Sequence, residues 1–232
     1  DRPRKQIYTE QGVVVDYDRL ILATGSKPFV PPIPGADLKG VMSFRDIYDV
    51  NTMLDYCASH KNAVVIGGGL LGLEAAYGLK QRGMNVTVLH LTDRIMDRQL
   101  DAKASTMLKA SIEAKGIEII TEANTEALLG QEGHVQQLRL KDGRTLPADL
   151  VIFAVGIRPN MSLAQSAGLR CNRGVLVNDT MQTFDPSIYA VGECIEHRNQ
   201  TFGLVEPLWG QAFICASHLA EHGSLTFKAP TV

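Results

Sequence analysis

Gly67, Gly69 and Gly72 form G-x-G-x-x-G inside VVIGGGLLGLEAA, residues 64–76. The motif follows an apolar β-type run and opens a helical one, as in a loop that receives the pyrophosphate of a dinucleotide. The first glycine permits a tight turn. The second lets the backbone approach the phosphates, and the third lets helix and strand pack closely. Leu70 and Leu71 start the helix, whose free N–H groups and positive dipole end suit an anion. Glycine triplets also occur in ordinary turns; the strand before, the helix after and a second strand at the right distance favour the dinucleotide. The end of that second strand should read the adenosine ribose, with Asp or Glu for NAD and a nearby Arg for NADP. This chain has His90 there, with Asp93 and Arg94 just beyond. Neutral His90 can hydrogen-bond a ribose hydroxyl, or it is simply a partly exposed strand-end residue. Arg94 can meet a 2′-phosphate, and NADH is favoured over NADPH. Glu74, on the first turn of the helix, either points toward the nicotinamide end or is a solvated helix residue.

The elements that position these residues alternate. AVVIG, NVTVLH and IEII read as strands, and LLGLEAAYGLKQRG and DAKASTMLKASIEAKG as helices ending near Gly83 and Gly116. This βαβαβ order implies a parallel sheet with helical crossovers. Turns at Glu132-Gly133 and Asp142-Gly143 then mark a three-stranded antiparallel meander, and DLVIFAVG returns as a buried strand. Upstream, KQIYTEQGVVVDYD reads as a hairpin and RLILATG as a strand. SKPFVPPIPGADLKG, rich in proline, reads as an ordered loop, and residues 44–58 as a helix. GVLV and IYAVG are short strands, and a C-terminal helix starts near residue 206. The fold class is α/β: a Rossmann-like nicotinamide domain with an antiparallel β-meander, plus a partial FAD-binding domain of the same type. The expected boundaries are 1–45 and 158–232 for the FAD part and 46–157 for the NAD(P) part.

RLILATGSKPFVPPIPG, VVIGGGLLGLEAA, VIFAVGIRPN and TFDPSIYAVGEC follow one another in this order. In this the chain resembles the two-dinucleotide-fold FAD/NAD(P)-dependent pyridine nucleotide oxidoreductases, across nearly its whole length. Within them, GGGLLGLEAA, His90, RQLD at 98–101 and GECIEHRNQTFGLVEP are similar to the large subunits of assimilatory NAD(P)H nitrite reductases. Nitrate reductase flavin subunits and rubredoxin reductases are close alternatives. The resemblance implies that Thr24 and Gly25 end a strand passing FAD. It implies that Gly192 and Glu193 replace the family's Gly-Asp, whose carboxylate holds a ribitol hydroxyl; Glu is one methylene longer. It implies that the helix near Glu206 to Trp209 aims its N-terminus at the flavin, and that Gly156 and Pro159 mark the crossover out of the NAD(P) domain. The family opens with its own strand, glycine loop and helix for the ADP part of FAD. Residues 1–25 read instead as hairpin and strand, so the chain reads as a segment of a larger FAD-binding protein, and the segment alone is expected to bind FAD weakly or not at all. Iron-centre domains downstream or a separate redox protein would take the electrons. A homodimer is a further family expectation.

Composition narrows the classes. The 232 residues are 45% hydrophobic with a formal net charge of −2, so no broad footprint for nucleic acid or membrane exists. No run of about 18 apolar residues is present, no signal core opens the chain, and a cytoplasmic location is expected. Cys57, Cys171, Cys194 and Cys215 form no C-x-x-C pair, which argues against dithiol–disulfide chemistry in this segment. Cys194-x-x-His197 and Cys215-x-x-His218, with His222 near by, suggest zinc only weakly; core cysteines and no metal are expected. No group is singled out for acid–base catalysis, because hydride transfer is the chemistry of the cofactors. A non-catalytic NAD(H)-binding module is the alternative from another class.

Overall fold

The computed structural model describes residues 1–221 and 223–229. The chain divides into two compact units, Pro28–Gly156 and the pair of segments Asp1–Lys27 and Ile157–Val232.

The continuous unit is built on a five-stranded parallel sheet. Its order is Val41–Ser43, Leu150–Phe153, Asn62–Ile66, Asn85–Leu89, Ile117–Ile120. Side chains alternate across it with period two. Ala63, Val65, Val86, Val88, Leu150 and Ile152 face a core shared with Ala75, Ala76 and Leu79 of the helix Leu70–Gln81. Val64, Leu89, Val151 and Phe153 face Leu128, Val135, Leu138 and Leu140 of the meander. A sheet covered on both faces explains why these strands read as continuous apolar runs. Each Val, Leu, Ile or Phe among them contributes about 1.5–3 kcal/mol on burial. The meander strands Thr125–Gln131, His134–Leu140 and Thr145–Pro147 pair antiparallel. Their first turn places Glu132 at φ 52° and Gly133 at φ 78°, the left-handed pair that a two-residue hairpin needs. The helix Ala102–Glu113 is capped by Asp101, whose carboxylate accepts from Ala104 N at 2.8 Å. The helix Ile47–Ser59 carries a capping box of Asp46 and Asp49.

The structure moves the first boundary. Residues 28–45, expected with the FAD part, belong to the continuous unit. The strand Val41–Ser43 pairs with Leu150–Phe153. Pro34 O accepts from Leu128 N, and Gly133 O from Lys39 N. At Gly35, φ is +83° and a Cβ would stand 2.2 Å from Leu128 O, so the proline-rich stretch is packed onto the meander.

In the discontinuous unit, Leu20–Leu22 and Ile188–Ala190 form a parallel pair. Val175–Leu176 and Ile195–His197 form another, extended antiparallel by Gln200–Thr201. The hairpin Gln6–Tyr8/Val14–Asp16 turns as expected, with Gly12 at φ 79°. Arg2 anchors it, donating to Asp185 at 2.9 Å and stacking over Phe184. The helix Val205–Leu219 packs Ile214 and Cys215 against Tyr189, Ala190 and Cys194.

Candidate functional site

In the parallel sheet, the crossovers after Asn62–Ile66 run one way, through Asn85–Leu89 to Ile117–Ile120. Leu150–Phe153 lies on the other side. The carboxyl end of Asn62–Ile66 is therefore a topological switch point, where open α/β sheets bind ligands. The glycine loop sits there, and the structure separates its three glycines by role. Gly67 has φ +121°, and a Cβ on it would lie 2.2 Å from Ala154 O of the neighbouring strand's end. A Cβ on Gly72 would lie 1.8 Å from Gly67 O and 3.3 Å from the Ala154 Cβ. The protein's own packing demands both. Gly69 differs: nothing stands within 4 Å of its Cβ position. Its φ of −92° and ψ of −172° are open to any residue, and it caps the helix Leu70–Gln81 with no side-chain hydrogen bond. The first-turn N–H groups therefore meet no capping side chain. Folding does not explain glycine at Gly69, whose open position leaves room beside a helix N-terminus.

Around this loop, Leu70 and Leu71 are half exposed and Glu74 is exposed. Gly156, at φ +108°, is exposed with open space over its Cβ position. Arg94 lies 3.5 Å from Asp93 at the surface. His90 turns inward. Its Nδ1 accepts the Gly68 N–H at 3.0 Å, and its side chain is only 13% exposed.

In the discontinuous unit two turns lie at neighbouring strand ends. The parallel pair continues from Leu22 O to Val191 N at 3.0 Å, bringing Thr24–Gly25 and Gly192–Glu193 to the same strand ends. Gly25 and Gly192 have φ of +64° and +91°, with nothing within 4 Å of either Cβ position. Three residues that the sequence analysis gave no role hold them. Asn160 takes the Thr24 hydroxyl on its carbonyl at 2.7 Å, returns an amide bond to Thr24 O, and donates its N–H to Gly25 O. Ser26 Oγ donates to Glu193 Oε2 at 2.7 Å. Gln211 Oε1 accepts from Gly192 N at 2.7 Å, and its own buried Nε2 has no partner among the described residues. A buried, unmade amide donor beside an open glycine turn fits a polar ligand at this place. The helix Val205–Leu219 has no side-chain cap, leaving its N-terminus free for negative charge.

No described group of residues is arranged to hold a metal. His197 Nε2 is bonded to Asp179 Oδ1 at 2.8 Å, and the Cys194 thiol donates to Val191 O at 3.2 Å. His218 Nδ1 meets the Tyr189 hydroxyl at 2.8 Å. His222 lies outside the described residues. The four cysteines are unpaired, and burial raises the thiol pKa of Cys57, Cys171 and Cys215 above the ordinary value. At pH 7.5 an aromatic disulfide reagent is expected to leave Cys194 and Cys215 unmodified in the native protein and to label all four in guanidinium. Native labelling of Cys215, followed by peptide mapping, would contradict the packing described.

Both units thus combine strand ends, open glycine turns and uncapped helix starts, which defines a dinucleotide-binding α/β protein. A family model described as pyridine nucleotide-disulphide oxidoreductase matches residues 1–212, and the chain belongs to that family. It is 52% identical over 219 residues to an NAD(P)H nitrite reductase of Bacillus subtilis (strain 168), covering 94% of this chain and 27% of the relative. It is 46% identical to the assimilatory nitrate reductase electron transfer subunit of the same organism, covering 94% and 28%. The crystal structure of a ferredoxin reductase from Rhodopseudomonas palustris superimposes with a TM-score of 0.92 at 29% identity, covering 98% of this chain and 58% of that one. The chain spans about a quarter of the length of these two curated relatives. No described helix is long and apolar enough to cross a membrane.

Proposed function

We propose that Pro28–Gly156 binds NAD(P)H, with NADH favoured, and that Asp1–Lys27 with Ile157–Val232 supplies part of a FAD site. Together they would serve a reductase that passes electrons from NAD(P)H through FAD to a redox partner, with nitrite as the favoured final acceptor. The open position at Gly69, over an uncapped helix start at the switch point, carries this reading. The nitrite assignment leans on the nitrite reductase relative. Iron-centre domains of the same protein or a separate redox protein would receive the electrons, and a cytoplasmic homodimer is the setting.

When bound, the nicotinamide and flavin supply the hydride chemistry themselves. The residues of this chain bind and orient. Gly67 to Gly72, with the N–H groups of Leu70 and Leu71, would cradle the pyrophosphate of NAD(P)H. Glu74 and Gly156 would border the nicotinamide half, and Arg94 would lie by the adenosine. Thr24, Gly25 and Gly192 would let FAD approach the strand ends. Glu193, already steadied by Ser26, would take a ribitol hydroxyl. The N-terminus of Val205–Leu219 would favour negative charge on the flavin ring.

The sequence contains one G-x-G-x-x-G loop, so no second loop of this kind is present for the ADP half of FAD. Calorimetric titration of the 232-residue chain is expected to show NADH binding in the micromolar range and FAD binding far weaker. Tight FAD binding would show that these residues hold FAD without a second loop. Failure to bind either coenzyme would overturn the NAD(P)H reading. Coenzyme binding without NADH-driven dye reduction in the flavin-loaded longer protein would indicate a non-catalytic module.

A further inference from the structure

The residue at the end of Asn85–Leu89 is where a dinucleotide-binding strand is expected to read the ribose, yet the His90 ring is committed elsewhere. Its Nδ1 accepts the Gly68 N–H at 3.0 Å. An acceptor nitrogen carries no proton, so the ring is the neutral tautomer with hydrogen on Nε2. Nε2 is buried and has no hydrogen-bond partner among the described residues; Asp97 Oδ1 stands 3.6 Å away. The backbone of His90 is fixed as well, with its N–H given to Ile120 O and its carbonyl taken by Ala123 N–H, both at 2.9 Å.

Gly68 is held from its other side too. Its carbonyl accepts the Met96 N–H at 2.9 Å. Met96 sits at φ 53°, a left-handed conformation uncommon for a residue with a side chain. Ile95, fully buried before it, is tied through its carbonyl to Ser105 Oγ at 2.8 Å, on the helix Ala102–Glu113. A Cβ on Gly68 would approach Ile95 Cγ2 to 2.8 Å and the His90 ring to 3.1 Å. Gly68 is thus clamped between the ring and the 95–96 turn, one residue before the open position at Gly69. Turning the ring toward a ribose would strand a buried backbone donor.

We infer that His90 is a positioning residue that holds the glycine loop in its binding shape through Gly68, and that it does not read the coenzyme's ribose. This rests on the NAD(P)H reading of the loop for its consequence, but not for the contact itself. It is tested with His90→Asn and His90→Leu. The Asn side-chain oxygen can stand where Nδ1 does, whereas Leu keeps the volume and removes the acceptor. NADH and NADPH affinities are measured by calorimetry, and exchange of the Gly68 amide by NMR on glycine-labelled protein.

The Asn variant is expected to stay within about threefold of the native protein in every reading. The Leu variant is expected to weaken NADH and NADPH by the same factor, about tenfold or more, and to speed Gly68 exchange by a similar factor. A change in the NADH-to-NADPH ratio in His90→Leu would overturn the inference in favour of ribose reading. Unchanged Gly68 exchange in His90→Leu would overturn it outright. If the native protein binds neither coenzyme, the NAD(P)H reading fails, while the exchange comparison still decides whether His90 holds the loop.

Discussion

Gly69→Asp is expected to abolish NADH binding, with Kd raised at least about 100-fold, while the protein melts at the same temperature or slightly higher. A hundredfold loss corresponds to about 2.7 kcal/mol, the range of one or two charge-assisted hydrogen bonds to phosphate. Gly69 occupies the N-cap of Leu70–Gln81 in an ordinary extended conformation with open space beside it. An aspartate fits there without strain. Its carboxylate would accept from the first-turn N–H groups, and Asp exceeds Gly as an N-cap by a few tenths of a kcal/mol. It would also occupy the donors meant for the pyrophosphate and place a negative charge against it. Calorimetry with NADH and a thermal melt check the two halves together. Unaltered NADH affinity would remove the pyrophosphate from this helix start, and a large drop in melting temperature would mean that Gly69 serves the fold.

Gly67→Ala, two residues earlier, is expected to behave in the opposite way: the fold itself suffers. The new Cβ would stand 2.2 Å from Ala154 O and 2.7 Å from its carbonyl carbon, both backbone atoms that cannot swing aside. The φ of +121° adds strain for any residue with a side chain. Overpacking and backbone strain each cost about 1–3 kcal/mol. The total of about 2–6 kcal/mol should lower the melting temperature by roughly 4–24 °C. Wild-type stability in this variant, measured by calorimetric melting, would show that the two strand ends are not in contact as described. The pair of variants separates what the loop does for folding from what it does for a ligand. Retaining glycine where a better cap would fit is the kind of local sacrifice that binding sites display.

Much of this was legible in the chain because local pattern and tertiary role agree. The residues 63–66 and Leu150–Phe153 are apolar on both faces because helices cover one side and the meander the other. Glu132-Gly133 turns where the left-handed dipeptide demands it. What escaped the sequence depends on partners far along the chain. Val41–Ser43 is three residues long, and nothing local announces its pairing with Leu150–Phe153. The proline-rich stretch read as an ordered loop, but its bonds to Leu128 and Gly133 carry no local signature. The position of His90 could be read, but not the direction of its ring, which is settled by the buried Gly68 N–H. Asn160, Ser26 and Gln211 stood inside or beside recognisable motifs. Their bonds to Thr24, Glu193 and Gly192 appear only once the strands are placed.

The division of the chain bears on its synthesis. Pro28–Gly156 is continuous, so all its parts have left the ribosome once Gly156 has emerged. The other unit must wait. The Val191 N–H donates to the carbonyl of Leu22, a residue made 169 positions earlier. At about 5–20 residues per second, that is a delay of roughly 10–30 s. During it the strand Leu20–Leu22 waits for its partner Ile188–Ala190. An inserted unit that folds early replaces a long flexible connection with a compact one, which lowers the loop-closure entropy of the late pairing. The glycine-loop unit would therefore act, during translation, as a compact spacer that shortens the connection between the two segments of the interrupted unit.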